Sequence, residues 1–243
     1  MSEIAIEVKN LSKSFRIYHE IRNSVFEALI GLFSKKKHYE SLLVLNKLNF
    51  SIEKGEMFGI IGKNGMGKTT LLRVLSRIYE PDEGEIIVNG LITPFLGLGT
   101  GFQPEMTART NVIQYGILLG MKKRKITELV DDIMKFAELE KFADTKLKNF
   151  SSGMYARLAF STAVKVNPDI ILIDEIFQVG DKDFQKKSFD TIMSFKKNGK
   201  TIVMVTHDLN SVVNYCDRAL LLSNGTIASI GNPKVVLEAY SKI

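Results

Sequence analysis

The residues best suited to chemistry are Gly62, Lys63, Asn64, Gly65, Met66, Gly67, Lys68 and Thr69, with Thr70 directly after them. The apolar run Met57 to Ile61 precedes this stretch, and Thr70-Leu71-Leu72-Arg73-Val74-Leu75 follows with helical amphipathicity. Strand, glycine-rich turn and helix in that order make G-x-x-x-x-G-K-[ST] a phosphate-binding loop. The glycines let backbone N–H groups curl round a polyphosphate with no Cβ in the way. The helix start adds the positive end of its dipole, roughly half an elementary charge. Lys68 is expected to reach the β- and γ-phosphates, and the Thr69 hydroxyl to ligate Mg²⁺. The chemistry implied is nucleotide binding.

Two further stretches carry groups of the same kind. Ile170 to Ile173 is a wholly apolar strand that delivers Asp174 and Glu175 to the sheet edge, where nucleotides sit in parallel sheets. Asp174 is expected to hold the Mg²⁺ shell, and Glu175 to orient or deprotonate an attacking water. Phe150-Ser151-Ser152-Gly153-Met154 offers a hydroxyl, backbone amides and a helix start. It is either a second phosphate-binding group or an ordinary helix cap.

The elements that must position these groups are legible at low resolution. Ile4 to Val8 predicts a first strand, and Asn10 to Phe15 leads away from it. Arg22 to Phe33 places Val25, Phe26, Leu29, Ile30 and Phe33 on one helical face, followed by Lys35 to Lys37. That face suits either a membrane surface or the protein's own core. Leu48, Phe50 and Ile52 alternate as in a half-exposed strand, and Glu85 to Val88 reads as another, ended by an Asn89-Gly90 turn. Gly97 to Gly101 marks a hinge-like change, and Thr107 to Lys148 is helical in pattern, with Lys122 to Lys125 as a solvated turn. Ser151 and Ser152 are both candidate caps for a helix whose face carries Leu158, Ala159, Thr162 and Val166. A helix near Phe184 to Phe195 and a strand Thr201 to Val205 complete a βαβ succession. Arg218 to Ser223 and Thr226 to Ile230 read as a hairpin, and Asn232-Pro233 opens a last helix.

The bulk properties narrow the class. With 243 residues, 45% apolar and 25% charged, the chain can bury one substantial core. No apolar run approaches the roughly 18 residues of a membrane span. Met1-Ser2-Glu3 lacks the basic-then-apolar secretory pattern, so a cytoplasmic product is expected. The lone Cys216 fits a reducing compartment and reads as a packed core thiol. A net charge of +6 permits an acidic partner without choosing one.

In order, the phosphate loop, Ser151-Ser152-Gly153-Met154, Asp174-Glu175 and Thr206-His207-Asp208 resemble the motifs of ABC transporter ATP-binding subunits over essentially the whole chain. Phe150 to Met154, Asp174 to Lys186 and Gly101 to Thr107 look most like the branch exporting O-antigen, capsule or teichoic acid. The long Tyr18 to Leu43 segment is similar to that branch too. The resemblance implies an α/β fold: a P-loop ABC ATPase core with a mainly parallel sheet, an antiparallel β-subdomain and an inserted all-helical subdomain. Residues 1–243 would form one domain, with 1–96 and 155–243 as core and 97–154 as helical subdomain. It also implies a head-to-tail homodimer with two ATP molecules at its interface, each site joining Gly62 to Thr70 of one copy to Ser151, Ser152 and Gly153 of the other. Lys68, Glu175 and His207 would be the catalytic set, His207 contacting the γ-phosphate. Asp181 would communicate across the dimer, and Phe15 or Tyr18 would stack on adenine.

The partners implied are a polytopic membrane-spanning subunit and a lipid-linked glycan, at the cytoplasmic face of the cytoplasmic (inner) membrane. A soluble ABC-type ATPase acting on nucleic acid or ribosomes is the other class; it usually adds coiled coils, zinc modules or a second ATPase copy, and no nucleic acid is expected here. A different cargo is the remaining alternative. The chain ends at Ile243 with no residues for a sugar-reading β-sandwich, so an exporter that does not read a chain-end modification is expected. Two positions depart from the family pattern. Met66 stands where relatives carry a small residue, so its side chain is expected to point away from the phosphates. The glutamine usual before the helical subdomain has Gln103 as its nearest counterpart, while the aligned position falls at Gly97-Leu98.

Overall fold

The computed structural model describes residues 3–18, 39–174 and 180–242. The Arg22 to Phe33 face, Lys35 to Lys37 and Glu175 lie outside the described residues, and of Tyr18 only the backbone is described.

The fold is α/β, built on a six-stranded sheet in the order β5-β6-β7-β3-β8-β9. β3 (Met57–Ile61), β6 (Ile170–Asp174) and β7 (Thr201–Val205) are parallel and almost wholly buried. Their continuous apolar runs suit strands covered on both faces. β8 (Arg218–Ser223) adds in parallel beside β3, and β9 (Thr226–Gly231) closes that edge as the antiparallel arm of a hairpin. α1 (Lys68–Leu75) packs with the cluster that includes Phe58, Ile60 and Val203. α5 (Lys182–Lys197), α6 (Leu209–Tyr215) and α7 (Pro233–Tyr240) contribute Phe184, Val212 and Val236 to a second cluster holding Met57, Ile171 and Met204. Asn232 caps α7 through its side chain, with Pro233 in the first turn. Cys216 belongs to the second cluster, and burial pushes its thiol up to about 12, so it is an inert core residue.

A three-stranded antiparallel sheet, β2-β1-β4, lies alongside. β1 (Ile4–Tyr18) does not end at Val8 as the sequence suggested but pairs with β2 (Tyr39–Glu53) along its whole length. Register shifts around Leu11 absorb Asn10 and Lys47, which sit at φ 49 and 48. The Asn10 N–H donates to Asn49 Oδ1 at 2.8 Å, and Asn49 Nδ2 donates back to Asn10 Oδ1 at 3.0 Å. These bulges break the period-two alternation that would have revealed the strand. β4 (Glu83–Val88) pairs with β1, but Asn89-Gly90 makes no hairpin. The chain crosses to the large sheet there, and β5 (Ile92–Phe95) runs parallel to β6.

Asp82 ties β1 to the start of β4. Its carboxylate accepts from Lys13 Nζ at 2.7 Å, from the Ser14 N–H at 2.6 Å and from Ser14 Oγ at 2.7 Å. The Lys13 ammonium first, then the Ser14 donors, hold this carboxyl down at about 2 from its ordinary 3.8. A depressed carboxylate stabilises the fold fully above its unfolded value and loses that contribution as pH falls through the folded one. The stability gap between the natural chain and Asp82→Asn should therefore narrow as pH falls from about 5 toward 3. Guanidinium midpoints measured across that window test this, and a gap independent of pH would reject it.

The helical layer comprises α2 (Ala108–Leu118), α3 (Lys123–Ala137) and the first part of α4 (Ser152–Val164). Thr107 caps α2 by accepting from the Thr110 N–H. Asn111, fully buried, donates to the Gln103, Met106 and Thr107 carbonyls and accepts from the Gln103 N–H, pinning the 103–107 loop. α4 links the two layers: Leu158 and Ala159 pack in the helical cluster, Phe160, Ala163 and Val164 against the sheet.

Candidate functional site

The rung that sets the site is Ile60–Val205–Asp174, because Val205 pairs with Ile60 on one side and with Asp174 on the other. Asp174 therefore leaves the sheet two strands from the phosphate loop, on the order of 10 Å across. Intervening β7 delivers Thr206 and His207 between them. All three strands present their C-terminal ends here, the edge where parallel sheets bind ligands.

Two glycines are dictated by the loop's geometry. Gly62 has φ 156, and a Cβ there would lie 2.3 Å from the Leu222 carbonyl oxygen, which no relaxation of a flexible side chain can relieve. Gly67 caps α1 in the left-handed region at φ 96, with Val44 and Leu45 at 3.0 to 3.1 Å from any added Cβ. α1 opens with no side-chain cap and no acidic residue in its first turn. Its first N–H groups and the positive end of its dipole thus face the cleft with no carboxylate of their own turn to neutralise them. Such an arrangement selects an anion.

The cleft has a volume of about 540 Å³. From the loop and helix start it is lined by Asn64, Gly65, Gly67, Lys68, Thr69 and Thr70, and opposite by Asp174 and His207. Lys68 is buried, its ammonium arching back to donate to the Gly62 carbonyl at 2.7 Å and the Lys63 carbonyl at 3.0 Å. The Thr69 hydroxyl lies 3.5 Å from Asp174 Oδ2, directed at it across the cleft. Two hard oxygens at that spacing suit a small divalent cation that keeps waters and takes its other ligands from a phosphate. His207 is exposed and held in a tight turn: Thr206 Oγ1 accepts from the Asp208 N–H at 3.0 Å, and Asp208 caps α6. The Ser211 hydroxyl, foremost, keeps the Asp208 carboxyl below its usual range.

Other residues singled out from the sequence lie elsewhere. Gly62, Lys63 and Met66 do not line the cleft; Met66 Sδ accepts from the Asn224 N–H at 3.2 Å, over the β8–β9 turn. Ser151, rather than Ser152, caps α4 by accepting from the Met154 N–H at 3.2 Å, and neither serine nor Gly153 lines this cleft. Asp181 caps α5 through Phe184 N at 2.9 Å, which holds its carboxyl below the usual range. Phe15 sits edge-on to Tyr79 with centroids 5.4 Å apart, and Tyr18 ends β1 opposite Tyr39. Gln103 is exposed and off the cleft, its main chain pinned by Asn111, while the residues that leave β5 are Leu96 and Gly97. Val44 and Val205 line the cleft without any prior signal, since an apolar strand residue carries none.

A family model described as ABC transporter matches residues 45–178. An O-antigen export system ATP-binding protein of Myxococcus xanthus is 43% identical over 97% of this chain, which spans 55% of that relative. A protein of the same description from Klebsiella pneumoniae is 35% identical over 99% of this chain and 98% of its own length. Among solved structures, a dimeric, post-hydrolysis ATP-binding cassette bound to ADP and Pi superposes with a TM-score of 0.72 at 25% identity, covering 94% of this chain and 98% of that one.

Proposed function

Because the chain belongs to the ABC transporter family, we propose that it is the ATP-hydrolysing subunit of a transporter that exports a lipid-linked polysaccharide across the cytoplasmic membrane. The observation that carries the ATPase part of this reading is the convergence of the α1 N-terminus, Lys68 and the Thr69–Asp174 oxygen pair on one cleft, while the O-antigen export naming of the relatives supports the cargo. Lys68 exchanges its loop carbonyls for β- and γ-phosphate oxygens when ATP enters. Thr69 and Asp174 would hold Mg²⁺, which when bound would supply positive charge to offset that developing on the phosphates. Glu175, next to Asp174 in sequence, takes the proton of the attacking water, and His207 donates to the γ-phosphate. Ser151, Ser152 and Gly153 close over the ATP of a second copy, with Asp181 at the same interface. Phe15 or Tyr18 supports the adenine. Among the described residues no helix is long and apolar enough to cross a membrane. The export-system naming of the relatives supports a passage formed by a separate membrane-spanning subunit, with this chain docked on its cytoplasmic side.

Deleting the gene for this chain in its source cell tests the cargo. Surface polysaccharide should disappear while its lipid-linked form accumulates inside. Normal surface polysaccharide would reject the cargo, and leave the ATPase assignment to be judged on the purified protein.

A further inference from the structure

Side chains from two other helices hold the C-terminal end of α3. The helix closes at Ala137, with Glu138 following in the left-handed region at φ 60. The last carbonyls of a helix have no partner within it and need an outside donor. Arg157, on α4, donates Nε and Nη2 to the Ala137 carbonyl at 2.9 and 2.6 Å, and Nη2 also reaches Glu138 Oε2 at 3.0 Å. Lys187, on α5, donates to the Phe136 carbonyl at 2.8 Å and to Glu138 Oε1 at 3.1 Å.

Arg157 does one thing that Lys187 does not. Its Nη1 lies 3.4 Å from Asp181 Oδ2, while the other oxygen of that carboxylate caps α5. The guanidinium carbon sits 5.2 Å from the centroid of buried Phe184, and the Arg157 side chain is only 16% exposed. A Cβ on Gly180 would approach Arg157 Cγ at 3.3 Å, so the turn before Asp181 packs directly on the arginine stem. One planar cation with its donors in a fixed fork thus joins the end of α3, the helix that Ser151 opens, and the turn at Gly180-Asp181.

We propose that Arg157 is a positioning residue for ATP-driven closure of the dimer, an inference that rests on Ser151, Ser152, Gly153 and Asp181 facing a second copy. It keeps the helical layer, the Ser151 helix and Asp181 in one register, so that both groups meet the partner together. The fork supplies this and the charge alone does not. A lysine could satisfy the Ala137 carbonyl or approach Asp181, but one ammonium on a flexible stem cannot fix both.

The test uses the full chain in a Glu175→Gln background, with Arg157→Lys as the principal variant and Lys187→Ala as the control that loosens the α3 end without touching Asp181. Arg157→Lys should bind ATP within about twofold of its parent, yet at saturating ATP need at least tenfold more protein for half-maximal dimerisation. With Glu175 restored, Arg157→Lys should lose at least tenfold in kcat with little change in KM. Lys187→Ala should melt earlier but dimerise within about twofold of the parent. Equal dimerisation by Arg157→Lys, or a parallel loss of ATP affinity, would overturn the positioning role. Failure of the Glu175→Gln parent itself to dimerise with ATP would remove the two-copy reading and this proposal with it, whereas an associating parent with an unaffected arginine variant removes only the proposal.

Discussion

Replacing Lys68 with alanine should weaken ATP binding about a hundredfold or more while the chain stays folded. The ammonium is buried and already bent over the loop toward the Gly62 and Lys63 carbonyls. Its exchange of those carbonyls for phosphate oxygens therefore needs no large rearrangement of the stem. Hydrogen bonds between charged groups contribute roughly 1.5–3 kcal/mol each, and losing one or two at the β- and γ-phosphates corresponds to about 3 kcal/mol, or roughly two orders of magnitude in Kd. Water can replace the lost donor at the Lys63 carbonyl, because Lys63 is exposed, whereas the buried Gly62 carbonyl loses its 2.7 Å donor. Leaving that buried carbonyl unpaired should cost about 1–3 kcal/mol of stability, too little to unfold a chain of this size. Titration with a fluorescent ATP analogue, beside a thermal melt, separates the two effects. An affinity within threefold of the natural chain would remove Lys68 from the phosphate site.

Much of the architecture could be read from residue types because the large sheet is buried on both faces. Met57 to Ile61, Ile170 to Ile173 and Thr201 to Val205 are near-continuous apolar runs, and each proved to be a strand of that sheet. β5 could not be read the same way. It is four residues long, contains Pro94 and buries Thr93, and a proline inside a short run argues against a strand unless it lies at an edge, where this one does. The upper half of β1 was hidden for another reason, since its bulges shift the register and spoil the alternation.

The phosphate loop was legible because its chemistry needs particular residue types at particular spacing. Val44 enters the cleft only through tertiary packing: it comes from β2 of the smaller sheet, against Gly67. Arg157 was illegible because its partners are a main-chain carbonyl, which every residue has, and two carboxylates, Glu138 and Asp181, brought to it only by the packing of α3 and α5 against α4.

Glu175→Gln should lower kcat by about 10² to 10⁴ while leaving ATP binding and ATP-dependent association in place. Asp174 ends β6 level with Val205 and faces the Thr69 hydroxyl, so on the proposed reading it takes the cation-holding position of the strand end. The next carboxylate in the chain is then the one available to take a proton from water. A positioned general base contributes typically 10²- to 10⁴-fold, whereas a neutral amide of the same shape keeps the packing and loses the proton acceptor. On the proposed reading the ground-state contacts to ATP come from α1, Lys68 and the cation, none of which the change touches. Affinity should thus be nearly constant, and the closed dimer should persist because its ATP is not consumed. Steady-state phosphate release and size-exclusion chromatography with and without ATP read the two halves separately. Undiminished turnover would move the base elsewhere, with His207, which lines the same cleft, as the next group to replace. A loss of binding would instead mean that Glu175 contributes to holding the cation, making Asp174→Asn and Glu175→Gln alike in effect. The split between kcat and Kd is therefore what separates a base from a metal ligand at this strand end.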